Sequence, residues 1–170
     1  ISKMLSVMLS VVKTFSDYQF VIAGAPSQAP LFYSPFIKNK NVYFVENATY
    51  DLLSVSHAAV VTSGTATLET ALFKIPEVVC YKTSWISYQI GKRLVKLKYI
   101  SLVNLILDKE VVTELIQGAF NTKRLTKELN AILDGNKREA QFVAYHELET
   151  KLGGQGASQK VAELIYNSLN

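Results

Sequence analysis

Ala58-Ala59-Val60-Val61-Thr62-Ser63-Gly64-Thr65-Ala66-Thr67-Leu68-Glu69 is the stretch on which the fold turns. Its first half is an apolar run suited to a strand. Its centre is a glycine turn, and its second half opens an amphipathic helix that carries on to Phe73. A buried strand passing through such a turn into a helix places free backbone N–H groups and the positive end of the helix dipole at one spot. That arrangement binds anions, so Ser63, Gly64 and Thr65 are candidates for holding a phosphate or diphosphate. Glu69 follows Thr65 by four residues, which puts both on one helix face. Helical side chains lean toward the N-terminus, so the Glu69 carboxylate reaches the same ligand and suits the two hydroxyls of a ribose. A first-turn glutamate also favours the helix dipole on its own account. A capping box requires Ser or Thr three residues before the glutamate, and Ala66 stands there.

Working outward, Met4, Leu5, Met8, Leu9, Val11 and Val12 recur at helical spacing. Strands are expected at Tyr18 to Ala23, ending in the turn Gly24-Ala25-Pro26-Ser27, and at Val42 to Val45. A short helix is expected over Thr49 to Val55, then strands over His57 to Val61 and Glu77 to Tyr81. Next come a helix from Trp85 to Lys96 and a fifth short strand over Tyr99 to Leu102. The remainder reads as helical, over Thr122 to Leu133, Asn136 to Lys151 and Gln155 to Leu169. Strands alternating with helices imply an α/β fold, a parallel sheet with helices on both faces and a helical tail over 122–170. Ligands in such sheets sit at the carboxyl ends of the strands, where Gly24, Ser63-Gly64-Thr65 and Tyr81-Lys82 all fall. A fold of this kind normally begins with a strand. Here a helix comes first, which reads either as a variant or as a chain whose leading strand is absent.

The 170 residues suffice for one well-filled domain, and 49% hydrophobic with 19% charged residues is a globular composition. No apolar run approaches the ~20 residues that span a bilayer, and the first residues do not read as a signal peptide. Cys80 is the only cysteine, which excludes an internal disulfide and fits a reducing cytoplasm. A net charge of +4 biases the chain modestly toward anionic partners, and no nucleic-acid-binding motif is present. His57 and His146 have no partner at metal-ligand spacing, so neither a metal nor a cofactor is expected.

The motif Ser63 to Glu69 is one of several that together resemble a known family. The others are Tyr18 to Pro26, Tyr81-Lys82, Lys92-Arg93-Leu94-Val95-Lys96, Tyr99-Ile100-Ser101-Leu102-Val103-Asn104-Leu105 and Gly153-Gly154-Gln155-Gly156-Ala157-Ser158. In this order they resemble lipid-A-disaccharide synthase. The resemblance implies a glycosyltransferase of the GT-B architecture, with residues 1–170 its C-terminal, UDP-sugar-binding Rossmann-like half. The leading strand and the N-terminal acceptor domain then lie outside the chain. It further implies transfer of 2,3-diacylglucosamine from its UDP donor to 2,3-diacylglucosamine 1-phosphate with inversion, yielding the lipid A disaccharide precursor and UDP. The general base is implied to lie in the N-terminal half, so this chain alone is expected to bind UDP without turnover. Ser63, Gly64 and Thr65 are implied to hold the diphosphate and Glu69 the ribose. Asn104 is implied to bond the donor sugar or phosphates. Lys82 stands where the family often has Arg, keeping the charge but not the bidentate geometry.

The helix from Trp85 carries Trp85, Tyr88, Lys92 and Lys96 on one face with Arg93 beside it. An aromatic and basic face suits an anionic membrane surface, and equally a solvated helix packed on its apolar side. The acylated substrates that the resemblance implies favour the first, with the protein peripheral on the cytoplasmic side of the inner membrane. Two competing readings remain. One is another UDP-sugar transferase or epimerase of the same architecture. The other is a non-catalytic nucleotide-binding or assembly module, in which a second copy of the chain covers exposed core as a homodimer.

Overall fold

A computed structural model describes residues 1–62, 64–83, 98–153 and 156–169. The elements begin with α1 (Ser2–Leu9), β1 (Phe20–Ala23), β2 (Val42–Val45), α2 (Thr49–Val55), β3 (Ala59–Thr62), α3 (Thr65–Leu72) and β4 (Glu77–Tyr81). They continue with α4 (Leu102–Leu107), β5 (Thr113–Ile116), α5 (Thr122–Leu133), α6 (Asn136–Leu152) and α7 (Ala157–Leu169). The fold is α/β with parallel strands, flanking helices and a helical C-terminal end, the Rossmann-like arrangement expected. The strands form two sheets, β1-β2 and β3-β4-β5, and every pairing is parallel.

β4 is the centre of the larger sheet. Its Val78, Val79 and Cys80 are fully buried, as befits a strand covered on both faces. On one face Val78 and Cys80 join Leu115 of β5, Leu125, Leu129 and Ile132 of α5, and Val11 and Phe15 after α1. On the other, Val79 joins Ala71 of α3, Val103 and Leu107 of α4, and Ala144, Tyr145 and Leu148 of α6. Leu5, Val12, Ile22, Tyr33 and Val42 form a third cluster around the smaller sheet. The α1 region therefore reaches both sheets. α5 and α6 belong to the folded body, whereas Val161, Leu164, Ile165 and Tyr166 of α7 are exposed.

Two expectations fail between residues 98 and 116. Tyr99 to Leu102 is not a strand. The Glu114 carboxylate accepts the backbone N–H of Ile100 and Ser101, so these donors go to a side chain rather than to a ladder. Ser101 then caps α4 by accepting the Asn104 N–H. The fifth strand is instead Thr113–Ile116, paired with β4. Its alternation of Thr113 and Leu115 inward with Glu114 and Ile116 less buried is a half-covered strand pattern. The expected helix Trp85 to Lys96 lies outside the described residues.

Candidate nucleotide-binding site

β3 ends at Thr62, and α3 begins at Thr65 after Gly64. Gly64 has φ 127° and ψ −161°, a region that a residue with a Cβ enters only under strain. An added Cβ would meet nothing within 4 Å, so the glycine is required by the backbone path and not by crowding. Gly64 gives α3 no side-chain cap. The first helical N–H to find a partner among the described residues is that of Thr67, bonded to the Gly64 carbonyl. Thr65 and Gly64 are exposed, so the opening of the helix faces solvent. Thr67 is buried and anchors this end. Its hydroxyl donates to the Gly64 carbonyl at 2.8 Å and accepts the Leu102 N–H at 3.3 Å, tying α3 to the start of α4.

Glu69 is half-buried one turn further on and lines a cavity together with Ala66, Thr62, Ala23 and Ala25. The Tyr50 hydroxyl donates to its Oε1 at 3.3 Å, and the Tyr50 ring stacks on Phe73 with centroids 5.5 Å apart. The carboxylate is thus oriented by one phenol, with its second oxygen free of a described partner. Tyr50 had no signal in the sequence, since nothing local links it to a residue nineteen positions away.

Lys82 is exposed just past the carboxyl end of β4. Asn104 takes a different place. It is fully buried, and all of its amide bonds are spent inside the fold. Its Nδ2 donates to the Val112 carbonyl at 2.8 Å and to Glu114 Oε1 at 2.9 Å, while its Oδ1 accepts the N–H groups of Val111 at 2.8 Å and Val112 at 3.0 Å. It joins α4 to the entry of β5. Ser63, Trp85, Tyr88, Lys92, Arg93 and Lys96 lie outside the described residues. Burial pushes the Cys80 thiol up to about 12, so it is a neutral core group. His57 Nε2 lies 3.0 Å from the Leu133 carbonyl and stitches β3 to α5.

A model of the lipid-A-disaccharide synthetase family matches residues 2–167. The chain belongs to this family. Relatives named lipid-A-disaccharide synthase include one from Anaeromyxobacter dehalogenans, 38% identical over 153 residues, or 88% of this chain and 40% of the relative. One from Syntrophus aciditrophicus is 46% identical over 122 residues, covering 71% and 32%. One from Geobacter sulfurreducens is 33% identical over 161 residues, covering 91% and 41%. The chain therefore spans about two fifths of the length of such lipid-A-disaccharide synthases.

Proposed function

We propose that this chain is the donor-binding half of a lipid-A-disaccharide synthase that moves 2,3-diacylglucosamine from UDP to 2,3-diacylglucosamine 1-phosphate. The observation that carries the reading is the uncapped, solvent-facing start of α3 at the end of β3, with Glu69 on the same helix. Backbone N–H groups there, with Thr65 and Ser63, neutralise the diphosphate, whose charge grows as the glycosidic bond breaks. Glu69, held by Tyr50, accepts the ribose hydroxyls. Lys82 adds positive charge at the same edge of the sheet. Asn104 supports the site from inside by fixing the α4 and β5 connection rather than by touching the donor. The general base comes from the other half of the protein.

The membrane partner and location belong to the same proposal. Trp85, Tyr88, Lys92, Arg93 and Lys96 meet the anionic inner face of the membrane from which acylated substrates are drawn, and the protein is peripheral there. Among the described residues no helix is long and apolar enough to cross a membrane.

The test is product formation by the full-length protein from the diacylated donor and acceptor, with UDP release followed alongside. UDP-N-acetylglucosamine replaces the donor in a parallel assay. Turnover confined to the diacylated donor is expected, with UDP affinity falling about tenfold or more in Glu69→Ala. Equal turnover of both donors, or unchanged UDP affinity in the variant, would refute the assignment.

A further inference from the structure

β3, β4 and β5 all end on one edge of the larger sheet. Gly64 stands second past the end of β3, Lys82 first past β4 and Gln117 first past β5. Thr62 pairs with Cys80 and Tyr81 with Ile116, so continuing both ladders sets Lys82 between Gly64 and Gln117. Neighbouring strands lie about 4.8 Å apart. Gln117 thus borders the chain that leaves β4 and lies one strand further from Gly64.

Gln117 carries two local penalties. Its φ is 52°, in the left-handed region that a residue with a Cβ enters at a cost. Gly118 follows at once, outside that region and with open space where a Cβ would be, so the glycine that would relieve the turn stands one position late. The Gln117 Nε2 is also buried with no hydrogen-bond partner among the described residues. Set against these is one bond: its Oε1 accepts the N–H of Thr83, 34 positions away, at 3.4 Å. That bond fixes the orientation of the amide, because the flipped form would turn two donors toward each other. Strain of this kind gathers where a functional group has to be placed. The group beside this anchor is Lys82, the residue before Thr83. Lys82 is exposed and has no ion pair among the described residues, so its aim depends on the backbone on either side of it.

We propose that Gln117 is a positioning residue of the donor site, holding the chain that leaves β4 so that Lys82 meets the diphosphate. The inference rests on reading the start of α3 as the diphosphate site. Gln117 itself touches no ligand and acts through Lys82. The Lys82 charge matters most once the glycosidic bond has broken and UDP carries its full charge. Loss of Gln117 is therefore felt in kcat and in affinity for UDP, and less in KM for the intact donor. Stability runs the other way, since glycine at 117 relieves the turn and removes the buried amide.

The full-length protein is compared with Gln117→Gly, Lys82→Met and the double variant by UDP titration calorimetry, thermal unfolding and turnover of the diacylated donor. Gln117→Gly is expected to unfold at or above the temperature of the parent, to bind UDP at least about threefold more weakly and to lose kcat to match. Lys82→Met is expected to weaken UDP binding about tenfold. The double variant is expected to bind UDP as Lys82→Met does, since Gln117 has nothing left to place. Glycine also frees the backbone, so Gln117→Met, which keeps the length and drops the acceptor, is titrated alongside and is expected to lose UDP affinity as well. Additive losses in the double variant would overturn the inference by giving Gln117 a contact of its own. So would a lower unfolding temperature in Gln117→Gly with UDP affinity and kcat unchanged, the mark of a purely structural clamp. A parent that binds no UDP, or a Lys82→Met that binds it as the parent does, would remove the site reading and this inference together. Weak binding by Lys82→Met beside unchanged binding by both Gln117 variants would overturn the inference alone.

Discussion

Glu77 is the residue most at odds with its surroundings. It opens β4 fully buried, and neither carboxylate oxygen has a hydrogen-bond partner among the described residues. Gln141 clamps only its backbone, accepting its N–H at 2.9 Å and donating to its carbonyl at 3.1 Å. Burial holds the Glu77 carboxyl well above the ordinary glutamate range. The folded protein therefore keeps a proton that the unfolded chain has released. Stability from this group is complete below the ordinary glutamate pKa and is lost as pH rises toward the raised value. Glu77→Leu is expected to raise stability at neutral pH by about 1–3 kcal/mol and to flatten this part of the pH profile, read by urea unfolding at pH 5 and 8. Asn104 is the opposite case, a buried amide with every bond made. Asn104→Ala leaves the Val111 and Val112 N–H groups without their acceptor and is expected to cost about 2–4 kcal/mol in the same assay. A variant as stable as the parent but weak in UDP binding would return Asn104 to the ligand.

At the scale of elements, α5 and α6 are locked at their junction. Lys137 bonds both Glu128 of α5 and Thr113 of β5. For Glu128, burial opposes the charged form, yet the hydrogen bond and charge of Lys137 prevail and hold its carboxyl below the ordinary range. The stability that this pair adds is present above the ordinary glutamate pKa and is lost as pH falls through the depressed value. The Lys137 side chain is 34% exposed, so the cost of Lys137→Met is expected near 1–3 kcal/mol rather than the full cost of breaking a buried pair. Thermal unfolding at pH 7 and pH 3 should show the difference between variant and parent shrinking at the lower pH. Element boundaries also show what local pattern conveys. The apolar run into Gly64 is a local signal, and β3, the turn and α3 were legible from it. Thr113–Ile116 was not, because four residues with a glutamate among them are too short a run to mark a strand in the sequence, and pairing with β4 makes it one.

At the scale of the molecule, the two sheets differ in how firmly they are held. β3, β4 and β5 share two buried clusters with α3, α4, α5 and α6. β1 and β2 contribute their buried residues, Ile22 and Val42, to a single smaller cluster, and β1 lines the cavity beside Glu69. In the 170-residue chain, amides of Ile22 and Phe44 are therefore expected to exchange faster than those of Val79 and Leu115, through local opening below the global unfolding free energy. Uniform protection across both sheets would contradict this. By itself the sequence determined the α/β class, the strand–glycine–helix turn, the family resemblance and Glu69 as a candidate ligand group, since each rests on local patterns and short motifs that can be read in chain order. Only the tertiary structure decided that Asn104 spends its amide inside the fold, that Tyr50 orients Glu69, that Glu114 holds the backbone leading into α4 and that the parallel strands form two separate sheets. Those outcomes depend on which distant backbone donors and acceptors meet, and hydrogen-bond partners separated by many residues leave no period in the chain for a reader to find.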